Sequence, residues 1–336
     1  MKLVEIQANQ FNELAQAEPN KSFHQTSNWG NFYSRLDYAP YYLGYIDEAG
    51  VYAALGLFLV KNGSIFDKRD AICPFGFLIN YYDTKLVQDF TNDIKKFLSK
   101  KGASNLIINP NVNYITSRGN NDLLINKLLN IGYTKTKNNV IFTNKIEEIV
   151  KVKNIEDICL KAYVVDEDTS KLFKANINYK YLFETMGSLV KFIVCELDSD
   201  KSLQNLNASI EEAKSFIEMN NEDYKYFTKI ENKKKAIETK QQYIDLINKA
   251  VSENGSNPLL AVTCLVQFND KITQLFIDDK KDYEVFKTLE ILNQKTLQTI
   301  SELGYESFDG YIKNETSSKT DLIGEFTYRI KWFKPA

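Results

Sequence analysis

The hydrophobic positions between residues 199 and 252 follow a helical spacing and predict two long helices that fold back on each other. In the first half, apolar residues recur at alternating steps of three and four, at Leu203, Leu206, Ile210, Ala213 and Ile217. Turn-forming residues follow at 220–223, and a second apolar stripe comes after them at Phe227, Ile230, Ile237, Ile244 and Val251. Alternating steps of three and four are the a/d spacing of coiled coils. The pattern therefore predicts an antiparallel coiled-coil arm over residues 199–252, with each helix about 30 Å long.

Strand-like apolar runs enclose this arm on both sides. Residues 191–197 precede it, and residues 259–266 follow it. Because the two runs could pair as neighbouring strands, the helices between them form an insertion in one globular domain. The sequence thus predicts an arm that projects from the body of the protein.

The rest of the chain repeats one order of elements. After a series of strands, residues 84–100 place apolar positions on one helical face, Lys101-Gly102 ends the helix, and a strand follows. In the second half, a helical stretch at 283–301 leads in the same way to Gly304 and then to a strand. The shared order and helix stops indicate an internal duplication, so we predict a mixed α/β fold with two copies of one unit. The expected domains are a first lobe at 1–150, a second lobe at 151–198 and 253–336, and the arm at 199–252.

Composition limits the classes of function. The chain has 336 residues and a net charge of −2, so any affinity for nucleic acid must be local. Its four cysteines contain no CxxC pair, which favours free thiols in a reducing compartment. The N-terminus lacks a signal-peptide core, and no apolar run approaches the length that spans a bilayer. We therefore predict a cytoplasmic protein.

The lysines of the second arm helix form a local concentration of positive charge. They are Lys225, Lys229, Lys233, Lys234, Lys235 and Lys240. Lysines at this density can follow a nucleic-acid backbone and bind its phosphates. The alternative is a solvated spacer whose lysines pair with acidic residues of the first helix.

Several segments carry a resemblance to a known family. Residues 23–32, FHQTSNWGNF, resemble an opening Q-x-S/T-x-x-W-G motif, and residues 101–112, which include INPNV, resemble a KKGA…I-D-P-N-V segment. Residues 179–187 and 192–198, which lead into the arm, resemble the start of a second lobe. These segments are similar to those of the Fem-type aminoacyltransferases (FemA, FemB, FemX and MurM-like enzymes), which build the interpeptide bridge of bacterial peptidoglycan. The resemblance implies two acetyltransferase-like (GNAT) lobes, with the helical arm inserted in the second.

The resemblance also implies an activity. Fem-type enzymes pass an amino acid from an aminoacyl-tRNA to an amino group on the stem peptide of a lipid-linked or UDP-linked peptidoglycan precursor. This aminolysis of an ester takes a proton from the amine and places charge on the carbonyl oxygen, and it needs no metal or redox cofactor. The implied partners are aminoacyl-tRNA at the arm lysines, the precursor between the lobes, and a Fem-like protein or a second copy of the chain. The implied location is the cytoplasm, including the inner face of the membrane as a peripheral protein.

By the same resemblance, six residues are expected at the precursor site: Tyr33, Arg35, Tyr114, Lys174, Tyr179 and Tyr181. Arg35 and Lys174 are the cations expected to meet phosphate groups. The alternative for each of the six is an ordinary surface or packing role. His24 is the only histidine, no spacing supports a Cys–His pair, and no catalytic residue follows from the sequence.

Two parts of the family pattern have no counterpart in this chain. The link between the lobes is short, no arginine occurs between Arg118 and Arg329, and the F-K-x-x-F-G segment near the C-terminus is missing. A second hypothesis is therefore a catalytically reduced relative that acts as a binding partner or as an immunity or regulatory protein. A third is a coiled-coil adaptor built on an acyltransferase-like scaffold.

Overall fold

Two β-sheets, each flanked by helices, form the body of the protein. The structure is a computed structural model that describes residues 1–63, 68–117, 119–146, 149–166, 176–310 and 317–330. In chain order the elements of the first half are β1 Lys2–Glu5, α1 Ala8–Ala17, α2 Ser27–Arg35, β2 Tyr38–Ile46, β3 Tyr52–Lys61, β4 Arg69–Cys73, β5 Leu78–Ile79, α3 Thr84–Lys100, β6 Ala103–Ile108, β7 Ile115–Thr116, β8 Gly119–Asn120, α4 Asp122–Ile131, β9 Tyr133–Lys137 and β10 Val140–Lys145.

The second half contains the long helices. Its elements are β11 Leu160–Val164, α5 Ile177–Met186, β12 Val190–Leu197, α6 Ser199–Asn220, α7 Phe227–Asn254, β13 Leu259–Phe268, β14 Lys271–Asp279, α8 Thr288–Glu302, β15 Ser307–Gly310, β16 Ser318–Asp321 and β17 Glu325–Arg329.

Each sheet contains the same unit, in which antiparallel strands are followed by a helix and by a strand that runs parallel to the last of them. In the first sheet, β2, β3 and β4 are antiparallel neighbours, and β6 returns parallel to β4 after α3. In the second sheet, β12, β13 and β14 are antiparallel neighbours, and β15 returns parallel to β14 after α8. The predicted mixed α/β fold with a repeated unit is confirmed.

The two sheets exchange strands. The C-terminal strand β17 lies in the first sheet between β6 and β9. In return, β10 lies in the second sheet between β15 and β16. The domain limits expected from the sequence stay a prediction. They assign β10 to the first lobe and β17 to the second, so they do not describe the exchange of these strands.

One hydrophobic core joins the two lobes. The side chains of β3 alternate between its faces, and both faces are buried. Phe58 and Val60 pack in a core with α3, whereas Leu55, Leu57 and Leu59 pack in a core shared with α1, α2, α5, β12 and β13. Burial on both faces explains why β3 is an almost continuous apolar run. The shared core holds the lobes in a fixed relation, and this fixes the cleft described below.

The two arm helices lie side by side, and their basal halves pack on the second lobe. Leu206, Ile210, Ile244 and Ile247 are buried in one cluster with residues of β12, β13 and α8. Asp198 caps α6 by accepting a hydrogen bond from the Lys201 backbone N–H at 3.0 Å. The helices therefore occur where the hydrophobic spacing places them. Coiled-coil packing along their whole length stays a prediction.

One residue of the predicted seam lies outside it. Phe227 is 61% exposed, because the chain reverses just before it and Phe227 begins α7 at the tip of the arm. Its ring stacks on that of Tyr224 with 6.3 Å between centroids. The tip thus carries exposed rings.

In the part of the chain that the structure describes, no helix is both long and apolar enough to cross a bilayer.

Candidate active site between the lobes

The glutamine of the opening motif ties helix α2 to the first sheet. Gln25 is buried in a short 3-10 turn before α2. Its Oε1 accepts a hydrogen bond from the Leu57 backbone N–H at 2.8 Å, and its Nε2 donates to the carbonyl oxygen of Pro74. One side chain therefore joins the central strand β3 to the loop that follows β4.

The rest of this motif determines where α2 begins and how closely it packs against the sheet. The Thr26 hydroxyl accepts a hydrogen bond from the Trp29 N–H at 3.3 Å and so caps the helix. A Cβ at Gly30 would overlap the hydroxyl of Tyr42 on β2. Glycine at this position therefore lets α2 approach the sheet closely.

The asparagine–proline–asparagine segment reaches the same place. The parallel strands β4 and β6 end together, with Cys73 opposite Ile108, so the segments that follow them lie at one edge of the sheet. The Asn109 side chain accepts a hydrogen bond from the Phe75 N–H at 2.9 Å. Asn111 donates to the backbone carbonyl oxygen of Asn20 at 3.3 Å. The two sequence motifs are therefore neighbours in space.

A cleft of about 240 Å³ opens between the lobes at this edge. Its lining residues include Ser22, Phe23, His24, Phe75 and Asn111 from the first lobe and Phe268, Asp270, Lys271, Thr273 and Asp309 from the second. Ile141, on the exchanged strand β10, also lines it. Both lobes therefore supply side chains to one site.

His24 is held as a neutral ring in the wall of this cleft. It stacks on Phe75 with 4.2 Å between ring centroids, and its Nδ1 lies 3.0 Å from the Ser22 hydroxyl oxygen. Burial lowers the pKa of His24 to about 3. A base this weak is unsuited to take a proton from an amine, so His24 serves as an aromatic wall and a hydrogen-bonding group.

Replacing His24 by glutamine is expected to remove a pH-dependent part of the stability. The pKa of His24 is about 3 in the folded protein against an ordinary value of 6.5, so the unfolded chain binds the extra proton between these two values. The free energy of unfolding therefore falls as the pH drops below 6.5, by about 1.4 kcal/mol per pH unit or about 2.7 kcal/mol down to pH 4.5. Urea unfolding at pH 7.5 and pH 4.5 measures this loss. An equal loss in His24→Gln and in the unchanged protein would contradict the assignment.

Asp309 is one of two carboxylates, with Asp270, that the second lobe supplies to the cleft. It lies on β15, and it accepts a hydrogen bond from the Thr143 hydroxyl of β10 at 2.7 Å. The Lys271 ammonium lies 3.9 Å from its other oxygen. This pair places a proton acceptor next to a positive charge. When an amine attacks an ester, the first can take the proton of the amine and the second can stabilise the charge on the carbonyl oxygen.

Four of the six residues expected at the precursor site lie on two facing helices. Tyr33 and Arg35 are on α2, and Tyr179 and Tyr181 are on α5, which packs against it. The Arg35 guanidinium lies 5.7 Å from the ring centroid of Tyr181. The Tyr179 hydroxyl donates to Asp278 at 2.5 Å. These four residues form a patch where the lobes meet, and none of them lines the cleft.

The other two expected residues are not in this patch. The Tyr114 hydroxyl donates to Asp122 at the start of α4 at 2.8 Å, in the first lobe. Lys174 lies outside the described residues.

The arm lysines differ in the contacts that their ammonium groups make within the protein. Lys225 and Lys234 make ion pairs with Asp223 and Glu231, at 2.9 and 3.0 Å respectively. The ammonium groups of Lys229 and Lys233 lie over the ring of Phe216, at 4.6 and 5.8 Å. Lys235 is exposed and, among the described residues, has no ion-pair partner.

Lys240 does not share the free face of the arm. Its ammonium lies 2.6 Å from Asp157 and also bonds to the Ser209 hydroxyl, and its side chain is only 18% exposed. The spacing on α7 could not indicate this, because Asp157 belongs to the segment before β11, far from the arm in sequence. Lys240 therefore anchors the arm to the lobe.

The sequence alone did not indicate Phe75, Thr143 or Lys271 as residues of the site. The only signal for Phe75 is its place directly after a strand, in the Pro74-Phe75-Gly76 loop. Thr143 has none, because the strand exchange brings it to Asp309 from a distant part of the chain. Asp309 ends a strand, where an aspartate can equally serve a turn or face a cleft; the structure places it in the cleft.

Comparisons with known proteins agree with this geometry. A family model described as the FemAB family matches residues 6–178. No curated protein matches the sequence. The crystal structure of FemX is similar over 98% of this chain and 97% of that chain, with a TM-score of 0.60 and 12% identity. A tandem GNAT protein from the clavulanic acid biosynthesis pathway is similar over 100% and 99%, with a TM-score of 0.60 and 9% identity. The expected fold of two GNAT-like lobes is confirmed.

Proposed function

This chain belongs to the FemAB family and is an acyltransferase of the Fem type, and we propose that it transfers an amino acid from an aminoacyl-tRNA to the stem peptide of a peptidoglycan precursor. The observation that carries this proposal is the meeting of the two sequence motifs with Asp309 and Lys271 in one cleft between the lobes. A cleft of this kind can bring an amine and an ester together, and proximity alone lowers the barrier to their reaction.

In the proposed reaction, Asp309 takes the proton that the attacking amine loses. The amine nitrogen forms a bond to the ester carbonyl carbon, and the ammonium group of Lys271 stabilises the negative charge that develops on the carbonyl oxygen. The bond to the tRNA ribose oxygen then breaks, and that oxygen leaves as a hydroxyl with the proton returned by Asp309. The ring of His24 and its neighbour Phe75 form the apolar wall that shields the reacting groups from water.

The patch between α2 and α5 is the proposed place for the phosphates of the precursor. Arg35 is exposed and offers a planar fork of donors, which suits phosphate oxygens. Tyr181 supplies a ring face beside it, and Tyr33 and Tyr179 lie on the same two helices. Lys174 and Tyr114 remain proposed contacts from the family resemblance.

The arm is the proposed contact for tRNA. Five lysines of α7 and the turn before it, Lys225, Lys229, Lys233, Lys234 and Lys235, can meet phosphates of the tRNA backbone. Lys240 remains a proposed contact, and because its ammonium pairs with Asp157 we expect it to contribute less than the other five.

Changing Lys233, Lys234 and Lys235 together to glutamate is expected to weaken tRNA binding. Each lost phosphate contact lowers the slope of log affinity against log salt by about 0.7–0.9, so the slope should fall by roughly 2. Filter binding of tRNA from 50 to 300 mM salt measures both effects. The matched control changes three exposed lysines of α3, Lys85, Lys96 and Lys100, to glutamate. An arm that is only a spacer would leave affinity and slope the same in both variants.

A transfer assay tests the proposed function as a whole. The purified chain is mixed with a panel of charged tRNAs and with lipid-linked or UDP-linked precursor, and the lengthened stem peptide is followed by mass spectrometry. We expect one amino acid to be added to one acceptor. The second candidate, a catalytically reduced relative, is favoured by the missing basic motifs. Absence of transfer with every charged tRNA, with binding to the precursor or to a Fem-like partner retained, would establish that second candidate.

A further inference from the structure

The imidazole of His24 is covered on both faces, so only its edge can meet a substrate in the cleft. The ring of Phe75 stacks on it with 4.2 Å between centroids, and the ring of Phe23 lies 3.8 Å from it at a tilt of 30°. Two rings this close to the imidazole lie on opposite faces of it. All three side chains line the cleft between the lobes. A bound substrate therefore meets the edge of the imidazole, where the ring nitrogens and hydrogens are.

The Ser22 hydroxyl selects the tautomer of His24. Its oxygen accepts a hydrogen bond from the His24 backbone N–H at 3.3 Å, and the same oxygen lies 3.0 Å from Nδ1. Since the oxygen already accepts from the backbone, its own hydrogen can be donated, and Nδ1 is the acceptor that it meets among the described residues. Nδ1 then accepts, and the neutral ring carries its one hydrogen on Nε2.

The second ring nitrogen, Nε2, makes no hydrogen bond to any residue that the structure describes. It is not sealed in the interior either. In that part of the chain, the fully buried side-chain nitrogens and oxygens without partners belong to Trp29, Arg69, Tyr81 and Ser199. His24 itself lines the cleft. A donor at the wall of a cleft, with no acceptor in the protein, is placed to bind an oxygen of a ligand.

The cleft needs such a donor, because its cation is screened by water. The side chain of Lys271 is 70% exposed, and its ammonium lies 3.9 Å from Asp309. A charge exposed to this extent acts weakly. The His24 edge, in contrast, is held by two stacked rings and by Ser22, and burial lowers the pKa of His24 to about 3, so the ring stays neutral. A donor that is oriented before the reaction needs no rearrangement when charge develops.

We propose that His24 donates the hydrogen on Nε2 to the carbonyl oxygen of the aminoacyl ester, as a second donor beside Lys271; this rests on the proposed aminoacyl transfer. When the amine attacks, an electron pair of the carbonyl bond moves onto this oxygen, and the hydrogen bond strengthens as the charge grows. The pair returns when the bond to the ribose oxygen breaks. His24 keeps its hydrogen throughout, while Asp309 carries the proton of the amine. Ser22 is a positioning residue that acts through His24.

The tautomer can be measured directly, because His24 is the only histidine of the chain. The full chain is labelled with ¹⁵N-histidine, and the one-bond coupling to hydrogen identifies the protonated ring nitrogen by NMR. We expect the hydrogen on Nε2. Ser22→Ala should give a mixture of both tautomers. The matched control Ser34→Ala removes an exposed hydroxyl from α2 and should leave the spectrum unchanged.

Stable analogues of the donor test the contact with the carbonyl oxygen. They are 3′-amino-3′-deoxyadenosine acylated with glycine, L-alanine, L-serine or L-leucine, in which an amide replaces the reactive ester. We expect the signal of the hydrogen on Nε2 to shift with at least one of the four. Adenosine, which lacks the carbonyl group, is the matched probe and should not shift it.

Two variants of His24 separate the donor from the ring. His24→Phe keeps a stacked ring without a donor, and it should lower the single-turnover rate of transfer about 100-fold with the dissociation constant for tRNA nearly unchanged. His24→Gln should restore the rate to within about tenfold of the unchanged protein, because its amide nitrogen can donate from a similar position. Equal rates in these two variants would contradict the role of the donor.

A hydrogen on Nδ1 in the unchanged protein would overturn the proposal. So would a signal that none of the four analogues shifts, since the hydrogen on Nε2 would then point at the ring of Trp29, whose centroid lies 4.7 Å from that of His24. These outcomes are distinct from failure of the proposed function. Transfer can be observed while the hydrogen is on Nδ1, and the analogues can shift the Nε2 signal while no charged tRNA supports transfer.

Discussion

Replacing Asp309 by asparagine is expected to lower the rate of amino-acid transfer at least about 100-fold, because asparagine cannot take a proton from the amine. The amide oxygen of asparagine can still accept the hydrogen bond from the Thr143 hydroxyl, so the side chain keeps its place on β15. The loss should therefore appear in kcat, with the dissociation constants for tRNA and for the precursor nearly unchanged. Single-turnover transfer with charged tRNA measures it.

The matched control for this variant is Asp270→Asn. Asp270 also lines the cleft, but it is exposed and lies in the turn between β13 and β14. We expect this variant to keep the rate within about threefold. Similar rates for both variants would contradict the role given to Asp309 and would require another group to accept the proton.

Replacing Gln25 by alanine is expected to lower the free energy of unfolding by about 3–4 kcal/mol. The change leaves two buried backbone groups without partners, the Leu57 N–H and the Pro74 carbonyl, at about 1–3 kcal/mol each. It also frees the turn that carries His24 and the loop that carries Phe75, so both walls of the cleft lose their fixed spacing. Urea unfolding at pH 7.5 measures the stability, and the transfer assay measures the effect on the cleft.

Gln10→Ala is the control for this change, because Gln10 is on the exposed side of α1 with one long hydrogen bond to the Tyr52 hydroxyl at 3.4 Å. It should change stability by less than about 0.5 kcal/mol. A loss below about 1 kcal/mol in Gln25→Ala would show that water replaces the side chain, and the motif glutamine would then need a role with substrate instead.

Elements that are set by local signals could be predicted from the sequence. Helix α3 begins where Asp83 accepts a hydrogen bond from the Leu86 N–H at 3.0 Å, and it ends just before Gly102, whose φ is +81°. Strand β13 is bounded by Pro258 and by the Asn269-Asp270 turn. Caps, glycine stops and hydrophobic spacing act over a few residues, so the sequence contains them directly.

Pairings between distant parts of the chain could not be predicted in this way. Phe326 of β17 lies opposite Ile108 of β6, and Phe142 of β10 lies opposite Gly310 of β15. Strand propensity does not select among partners far away in sequence. The same limit applies to the site: the motif containing Gln25 was recognisable, but Phe75, which stacks on His24, and Thr143, which donates to Asp309, were not.

In the arm, too, local features could be predicted from the sequence and contacts between distant residues could not. The heptad spacing correctly indicates two helices, and Leu206, Ile210 and Ile244 are buried as expected. It does not indicate where the hairpin closes, and therefore not that Phe227 begins α7 at the tip. It also does not indicate that Asp157 forms an ion pair with Lys240.

The strand exchange has a consequence for how the protein is made. During synthesis the first sheet lacks an interior strand until residues 325–329 leave the ribosome, because β17 lies between β6 and β9. Until then the edge of β6 exposes unpaired backbone groups, and such edges recruit other strands. Neither half of the chain is thus a self-sufficient folding unit, because the first sheet needs β17 from the second half and the second sheet needs β10 from the first.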